Sequence, residues 1–420
     1  MVSFLYRAEY VNAHALEVRA CRPHLLVAVG ATVGTAGAVT NDGDVRAVDD
    51  QPRAVSTVPN TTNYLSPETT DRTSFVRGDV DVTAAAGASA QRLQGQYERN
   101  VFDTRFESIP EDEQVDLVRE TADSTDARLD RLATRYEVLL TAYSNGSLSP
   151  GTFLRRVARL SVDGEVARSN LEHVSERVDD SGTSVPVTLE TRITDLQTTP
   201  ATLPDPVVDR TEAGLAGQRD PPVVYTGSAG SGLVLATVDD GELIRTATIP
   251  GDYAPDQPDQ FAQAEGREVI LALQRGGELY PWAYDNNIGG PQIRGFGNTG
   301  IYLIRVNYGH GTLQTYLSGG SGQPFHEIQT TNPEGVPVTD TTVRATDSLN
   351  VTVETTTDSG PMRITLIQPS TNAPLNGTVS VDGQVVGRTG DDGTLWTVQP
   401  AGQFRVNVTD GPNSVEVAVP

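Results

Sequence analysis

Lysine is absent from this chain of 420 residues, so its basic side chains are all arginine, 31 of them against 55 acids, for a formal net charge of −24. A surface this poor in cations repels phosphate, which argues against duplex DNA, RNA and anionic lipid as partners. In molar salt the Debye length falls to about 3 Å, and so large a charge then repels itself little. Carboxylate excess without lysine is therefore what a protein adapted to high salt would carry. Cysteine is almost missing as well. Cys21 has no partner for an intramolecular disulfide, and it lies ahead of the apolar run at 25–39, so cleavage of that run would leave the mature chain without cysteine chemistry. Large aromatics are scarce, 6% of the residues, which makes any cluster of them conspicuous.

The run "LLVAVGATVGTAGAV" at 25–39 falls short of the about 20 apolar residues that cross a bilayer. It follows Arg19, Arg22 and His24 and has the character of a secretory h-region, with Ala36 and Ala38 framing an A-x-A cleavage site. Residues 1–38 are thus expected to be a signal peptide. Glu9 and Glu17 are unusual so early in a signal, and a true start downstream of Met1 would account for them. Cys21 precedes the run, which disfavours a lipoprotein, and the terminal "NSVEVAVP" offers no anchor helix. The expectation is export to the cell surface or medium, with membrane attachment only if the signal is retained. Five N-x-[ST] sequons, at Asn60, Asn145, Asn350, Asn376 and Asn407, suit an exported glycoprotein.

A chain of this length divides into roughly two to four domains. Residues 39–79 read as a flexible polar segment. Residues 80–180 carry a helical register: Val115, Val118, Ala122, Leu129, Leu132, Tyr136, Leu139, Leu140 and Tyr143 recur at mostly three and four spacing. Pro110 followed by three acids starts that helix, Asn145-Gly146 stops it, and Ser149-Pro150 starts the next, with Phe153, Leu154, Val157 and Leu160 inward. An earlier helix over 82–106 is expected to turn Leu93, Tyr97, Val101 and Phe102 inward. Residues 181–221, rich in Thr, Pro and Asp, read as a linker. Residues 222–330 read as a small α+β domain in the order β-β-α-β-β-β, with a hairpin at Asp240-Gly241 and a helix over 261–275 ended by Gly276-Gly277. Residues 336–420 have eight short strands between turn residues, an all-β immunoglobulin-like sandwich, with Trp396 facing inward. The fold class is multidomain: helical bundle, α+β domain with an antiparallel sheet, β-sandwich.

The densest aromatic stretch is "ELYPWAYDNN" at 278–287. It sits where the predicted helix ends, so Tyr280 and Trp282 are placed to seal the helix–sheet interface, and a ligand platform is the competing reading. His310 and His326 complete the set of possible ligand or partner contacts. A metal would want both histidines near a carboxylate such as Glu327, yet His326 and Glu327 are strand neighbours and point to opposite faces. His173 stands alone on a helix and reads as a solvated or capping residue. No G-x-S-x-G, H-E-x-x-H, P-loop or dinucleotide fingerprint occurs, and the acidic turns lack EF-hand spacing.

In the last quarter, Thr389, Asp391, Asp392, Gly393, Trp396, Pro400, Gly402 and Phe404 stand in a pattern that resembles the carboxypeptidase regulatory-like, transthyretin-type β-sandwich, which implies an accessory module without catalysis. The stretches "YPWA", "YLIRVNYGHGTLQTYLSGGSG" and "FHEIQ" resemble an uncharacterised domain of exported haloarchaeal proteins that follows a helical domain beginning near "NTTNYL". In topology the same region is similar to the PepSY type of extracytoplasmic domain, sometimes inhibitory toward peptidases. The expected function is a non-enzymatic binding protein of a halophile's surface, needing no cofactor, with an unidentified envelope or extracellular protein as partner. A secreted hydrolase with an unfamiliar site in 222–330, or a peptidase-inhibitory module, is the alternative.

Overall fold

The computed structural model describes residues 55–67, 69–230, 232–263 and 266–420. The expected signal segment, with Ala36 and Ala38, lies outside the described residues, as do residues 39–54.

The frame is an eight-stranded antiparallel sheet. Strand β1 (Val55–Ser56) pairs with β2 (Tyr64–Leu65) in a short ribbon of its own, and β3 (Arg72–Arg77) forms one edge of the large sheet. Next come β4 (Val223–Ala229), β5 (Gly232–Asp239) and β6 (Glu242–Thr248) as a meander. A second meander, β7 (Gln292–Gly295), β8 (Ile301–Tyr308), β9 (Gly311–Ser318) and β10 (Pro324–Thr331), joins the first by pairing β10 with β6. The β5–β6 hairpin turns at Asp240 and Gly241, with φ of 51° and 79°, as the Asp-Gly pair predicts.

Five helices lie between two neighbouring strands of that sheet, because β3 precedes them and pairs with β4 from Arg72↔Ser228 to Arg77↔Val223. They are α1 (Val82–Ser108), α2 (Glu111–Ser144), α3 (Pro150–Ser181), α4 (Val187–Gln197) and α5 (Pro206–Leu215). The helical region is therefore an excursion from the sheet and covers one of its faces, where Leu139, Tyr143, Phe153 and Val157 pack on Val224, Leu233 and Leu235. The other face is covered by α6 (Glu268–Leu279) and α7 (Pro281–Asp285), with Ala272, Leu279 and Tyr280 on Ile304, Val306 and Leu313.

Starts and stops of α2 and α3 follow the sequence reading. Pro110 precedes α2 with Glu111, Asp112 and Glu113 in its first turn, and the Ser149 side chain caps α3 at Thr152 N. Four expectations are corrected. Residues 181–221 are not a linker: Pro186 and Asp205 precede α4 and α5, which bury Leu189, Ile193, Leu196, Val207, Val208 and Leu215. The flexible polar segment, where described, supplies β1, β2 and the edge strand β3. On α1 only Phe102 of the expected inward set is buried, while Leu93 and Tyr97 are 66% and 61% exposed. The face that meets α3 is made of small residues instead, Ala88 and Gly95 among them, and a Cβ on Gly95 would lie 2.5 Å from Val166 Cγ1. Finally, α6 runs through Gly276-Gly277 to Leu279, since these glycines let Tyr284 pack against the helix; a Cβ on Gly276 would meet the Tyr284 hydroxyl at 2.3 Å.

The C-terminal sandwich has the eight expected strands in two four-stranded sheets. One holds β11 (Asp340–Ala345), β12 (Asn350–Thr355), β13 (Pro361–Ile367) and β16 (Thr394–Val398). The other holds β14 (Thr378–Val381), β15 (Gln384–Arg388), β17 (Phe404–Asp410) and β18 (Asn413–Val419). Val351, Val353, Ile364, Val379, Val406 and Val417 fill the space between them. Trp396 does not face inward. It pairs with Arg363 across β13 and β16, whose guanidinium stands 5.5 Å from its ring centroid, and Leu395 takes the inner position.

Candidate functional site

Strand β10 carries His326 and Glu327 side by side, and they do point to opposite faces of the sheet. Each anchors a different polar cluster. On the α6 face Glu327 is wholly buried, its Oε1 accepting from Arg245 Nη1 at 3.0 Å and Gln329 Nε2 at 3.0 Å. Its Oε2 accepts from the Tyr280 hydroxyl at 2.7 Å and Leu65 N at 2.9 Å. Arg245 in turn donates to the Leu65 carbonyl at 2.6 Å and to the Ser359 hydroxyl at 2.8 Å, and its guanidinium lies 4.9 Å from the Tyr64 ring centroid. Burial pushes the Glu327 carboxyl up, and the Arg245 charge pulls it back. Each oxygen of this carboxylate already has two donors, so the cluster is a structural clasp that ties the 55–65 strap, the sheet and the sandwich together.

Tyr280 belongs to that clasp and is fully buried, which removes it from the set of partner contacts and answers the aromatic stretch as core. Trp282 is half-buried beside it in sequence, edge-on to Tyr308 at 5.7 Å and 5.3 Å from the His310 ring. His310 Nε2 lies 3.1 Å from the Thr61 hydroxyl. This corner is on the α6 face, so the sheet stands between His310 and His326 and the two histidines do not meet. His173, read as a lone solvated residue, is paired with Asp103 Oδ1 at 2.8 Å.

The helical face holds a cavity of about 370 Å³ between α2, α3, the 196–208 segment and strands β5, β6 and β10. Leu129, Leu132, Val157, Leu160, Val208 and Leu233 make its apolar wall. Three polar groups converge at the bottom, Asp205, Thr248 and His326, with Tyr136 and Tyr253 at the sides. Asp205 caps α5: its Oδ1 accepts from Val207 N and Val208 N, both at 3.1 Å, and from the Thr246 hydroxyl at 3.1 Å. His326 Nε2 is 3.0 Å from the Pro204 carbonyl, which can only accept, so Nε2 carries a proton. Its Nδ1 is 2.8 Å from the Thr248 hydroxyl, which donates to it when the imidazole is neutral.

Burial pushes His326 below its ordinary value, with the Asp205 charge pulling the other way, and burial likewise pushes the Asp205 carboxyl up, opposed by His326. The sign for His326 is that the unfolded chain binds the additional proton once the pH falls below about 6.5. Its contribution to stability is complete above that value and is lost as the pH falls. Replacing His326 by Gln should therefore remove stability that the wild type has at pH 8 but not at pH 5; denaturant midpoints across that range check it, and a difference independent of pH refutes it.

Nucleophilic catalysis needs a hydroxyl or thiol, a base, and a group that orients the base. Here Thr248 meets His326, whose other nitrogen is held by a backbone carbonyl; His173 meets Asp103 without a nucleophile. Among the described residues no group of three or more His, Cys, Asp or Glu could hold a metal ion. None of their helices is long and apolar enough to cross a membrane. Of the sequons, Asn60, Asn145 and Asn376 are exposed, while Asn350 and Asn407 are half-buried within strands.

Sequence reasoning found His326 but not the rest of the cavity. Asp205, Tyr136, Thr248 and Tyr253 come from a helix, a strand and two segments read as connections. The one local signal was Asp205-Pro206, an N-cap followed by proline at the first helical position.

Comparison with known proteins finds family models over three consecutive segments. Residues 340–417 match the model of an archaeal fibronectin-III type-like domain. Residues 224–337 match a family of unknown function (DUF7094), and residues 24–220 a domain of unknown function (DUF7096). No curated protein and no solved structure matches the chain. The sandwich is thus similar to the archaeal fibronectin-III type, and its likeness to the carboxypeptidase regulatory-like kind extends to the β-sandwich alone. The boundary between the two other matches, at 220–224, falls inside one continuous sheet, since β3 lies in the first and pairs with β4 in the second. Three consecutive segments of the chain are thus similar to three family models, the last an archaeal fibronectin-III type-like domain.

Proposed function

We propose that the protein is an exported, salt-adapted binding protein of the cell surface or its surroundings, holding a small ligand between its helical layer and its sheet. The carrying observation is the cavity: a mostly apolar wall with a few convergent polar groups is the usual build of a ligand site. The fibronectin-III-like module supports a role by contact, as such a sandwich serves as a spacer or docking unit, and an envelope or extracellular protein is the expected partner. Acid excess without lysine supports the salt adaptation, and the apolar run before Ala38 supports export. The half-buried Trp282 with His310 is the partner contact this reading retains.

Purifying the full chain from its native medium at molar salt, denaturing it and identifying released small molecules by mass spectrometry tests the proposal. A compound at near-stoichiometric occupancy is expected, absent from a Leu160→Trp variant whose new side chain fills the cavity. The mature N-terminus should follow Ala38. An empty wild-type protein would sink the ligand reading, and an uncleaved intracellular chain would sink export.

A further inference from the structure

The charges around the cavity are of one sign. Asp126, Asp130, Glu137 and Asp205 line it, and no arginine does. The three at the rim carry little meaning, because an acidic protein presents carboxylates everywhere and Asp126 is already paired with Arg192 at 2.7 Å. Molar salt would screen them within about 3 Å. Asp205 differs. It is partly exposed in the cavity wall beside His326, and its donors are two backbone N–H groups and a hydroxyl, none of them charged. Its opposite-charge neighbour among the described residues is His326, whose two nitrogens are satisfied in the neutral form. As the α5 N-cap this carboxylate is satisfied by the chain, and with no arginine in the lining its charge is left to attract a cation that enters the cavity.

A further group points to the same occupant. Tyr136 and Tyr253 line the cavity. Burial, and next the Asp205 charge, push the Tyr136 hydroxyl up, which sets that ring near the carboxylate. A phenol ring face attracts an organic ammonium group, adding to the pull of the carboxylate.

Resting on the reading of this cavity as a ligand site, we propose that its ligand is a small apolar molecule carrying a protonated amine, with Asp205 as the counter-charge and Tyr136 beside the ammonium.

The test uses the full mature chain at molar salt and three probes of one shape, 4-phenylbutylamine, 4-phenylbutan-1-ol and 4-phenylbutanoate, titrated by calorimetry. The amine should bind at least about tenfold more tightly than the alcohol, and the carboxylate more weakly than both. Asp205→Asn keeps an N-cap oxygen and should abolish the preference for the amine while leaving the alcohol unchanged. Equal binding of amine and alcohol, or a preference that survives Asp205→Asn, overturns the cationic assignment and leaves the cavity as a ligand site. Binding of none of the three, with no change on Leu160→Trp, overturns both.

Discussion

Replacing Glu327 by Ala is expected to destabilise the protein by about 3–5 kcal/mol, the cost of leaving a buried charge without its partner. Arg245 is 3% exposed, and without the carboxylate it keeps only the Ser359 hydroxyl, the Leu65 carbonyl and the Tyr64 ring. Tyr280, Gln329 and Leu65 N lose their acceptor at the same time. Because the pair is inside, the loss should be as large in molar salt as in dilute buffer, unlike that of the surface pairs. Joint replacement of Arg245 by Met and Glu327 by Leu should cost much less than the single change, since no charge is then stranded. Denaturant unfolding of the three proteins measures this. A loss below about 1 kcal/mol for Glu327→Ala would mean that the clasp is not a structural centre. Proteolysis adds a second readout: freed of Glu327, the 55–65 strap should become the first site of cutting.

Gly164→Val should destabilise by about 3 kcal/mol, the upper end of the ordinary cost of overpacking. Gly164 lies inside α3, where a glycine is normally a fault of about 1 kcal/mol relative to Ala. It is there because the 3₁₀ turn at Pro200–Thr202 crosses the helix at that point, and a Cβ on Gly164 would stand 1.9 Å from the Ala201 carbonyl oxygen. Backbone cannot yield as a side-chain tip can, so the turn must move, and with it the cavity wall that Ala201 helps to form. Gly151→Ala is the control: the new Cβ meets nothing closer than 3.8 Å, and the change should be neutral or slightly stabilising. Thermal unfolding of both variants, with amine binding to each, decides it; equal stabilities would show that the turn is free to shift.

Periodicity and punctuation determined much of this protein. The apolar stripe of α2, the stop at Asn145-Gly146, the restart at Ser149-Pro150, the Asp240-Gly241 hairpin and the eight strands of the sandwich are all local, readable from residues a few positions apart. So was the divergence of His326 and Glu327, which follows from the pleat alone.

What only the tertiary structure decided depended on residues far apart in the chain. The strap at 55–65 has no apolar pattern of its own and is held by Asn63, Leu65, Arg245, Glu327 and Gln329, separated by up to 266 positions. The small-residue face of α1 and the glycines of α6 look like weak helix or a helix end until the opposing side chain is known; close approach, not propensity, chose them. The excursion of five helices between two paired strands leaves no trace in composition, because pairing β3 with β4 is a long-range event. The cavity shares that origin: Tyr136, Asp205 and Tyr253 are unremarkable one by one, and they join the buried His326 in one cavity wall when the helical layer folds back on the sheet.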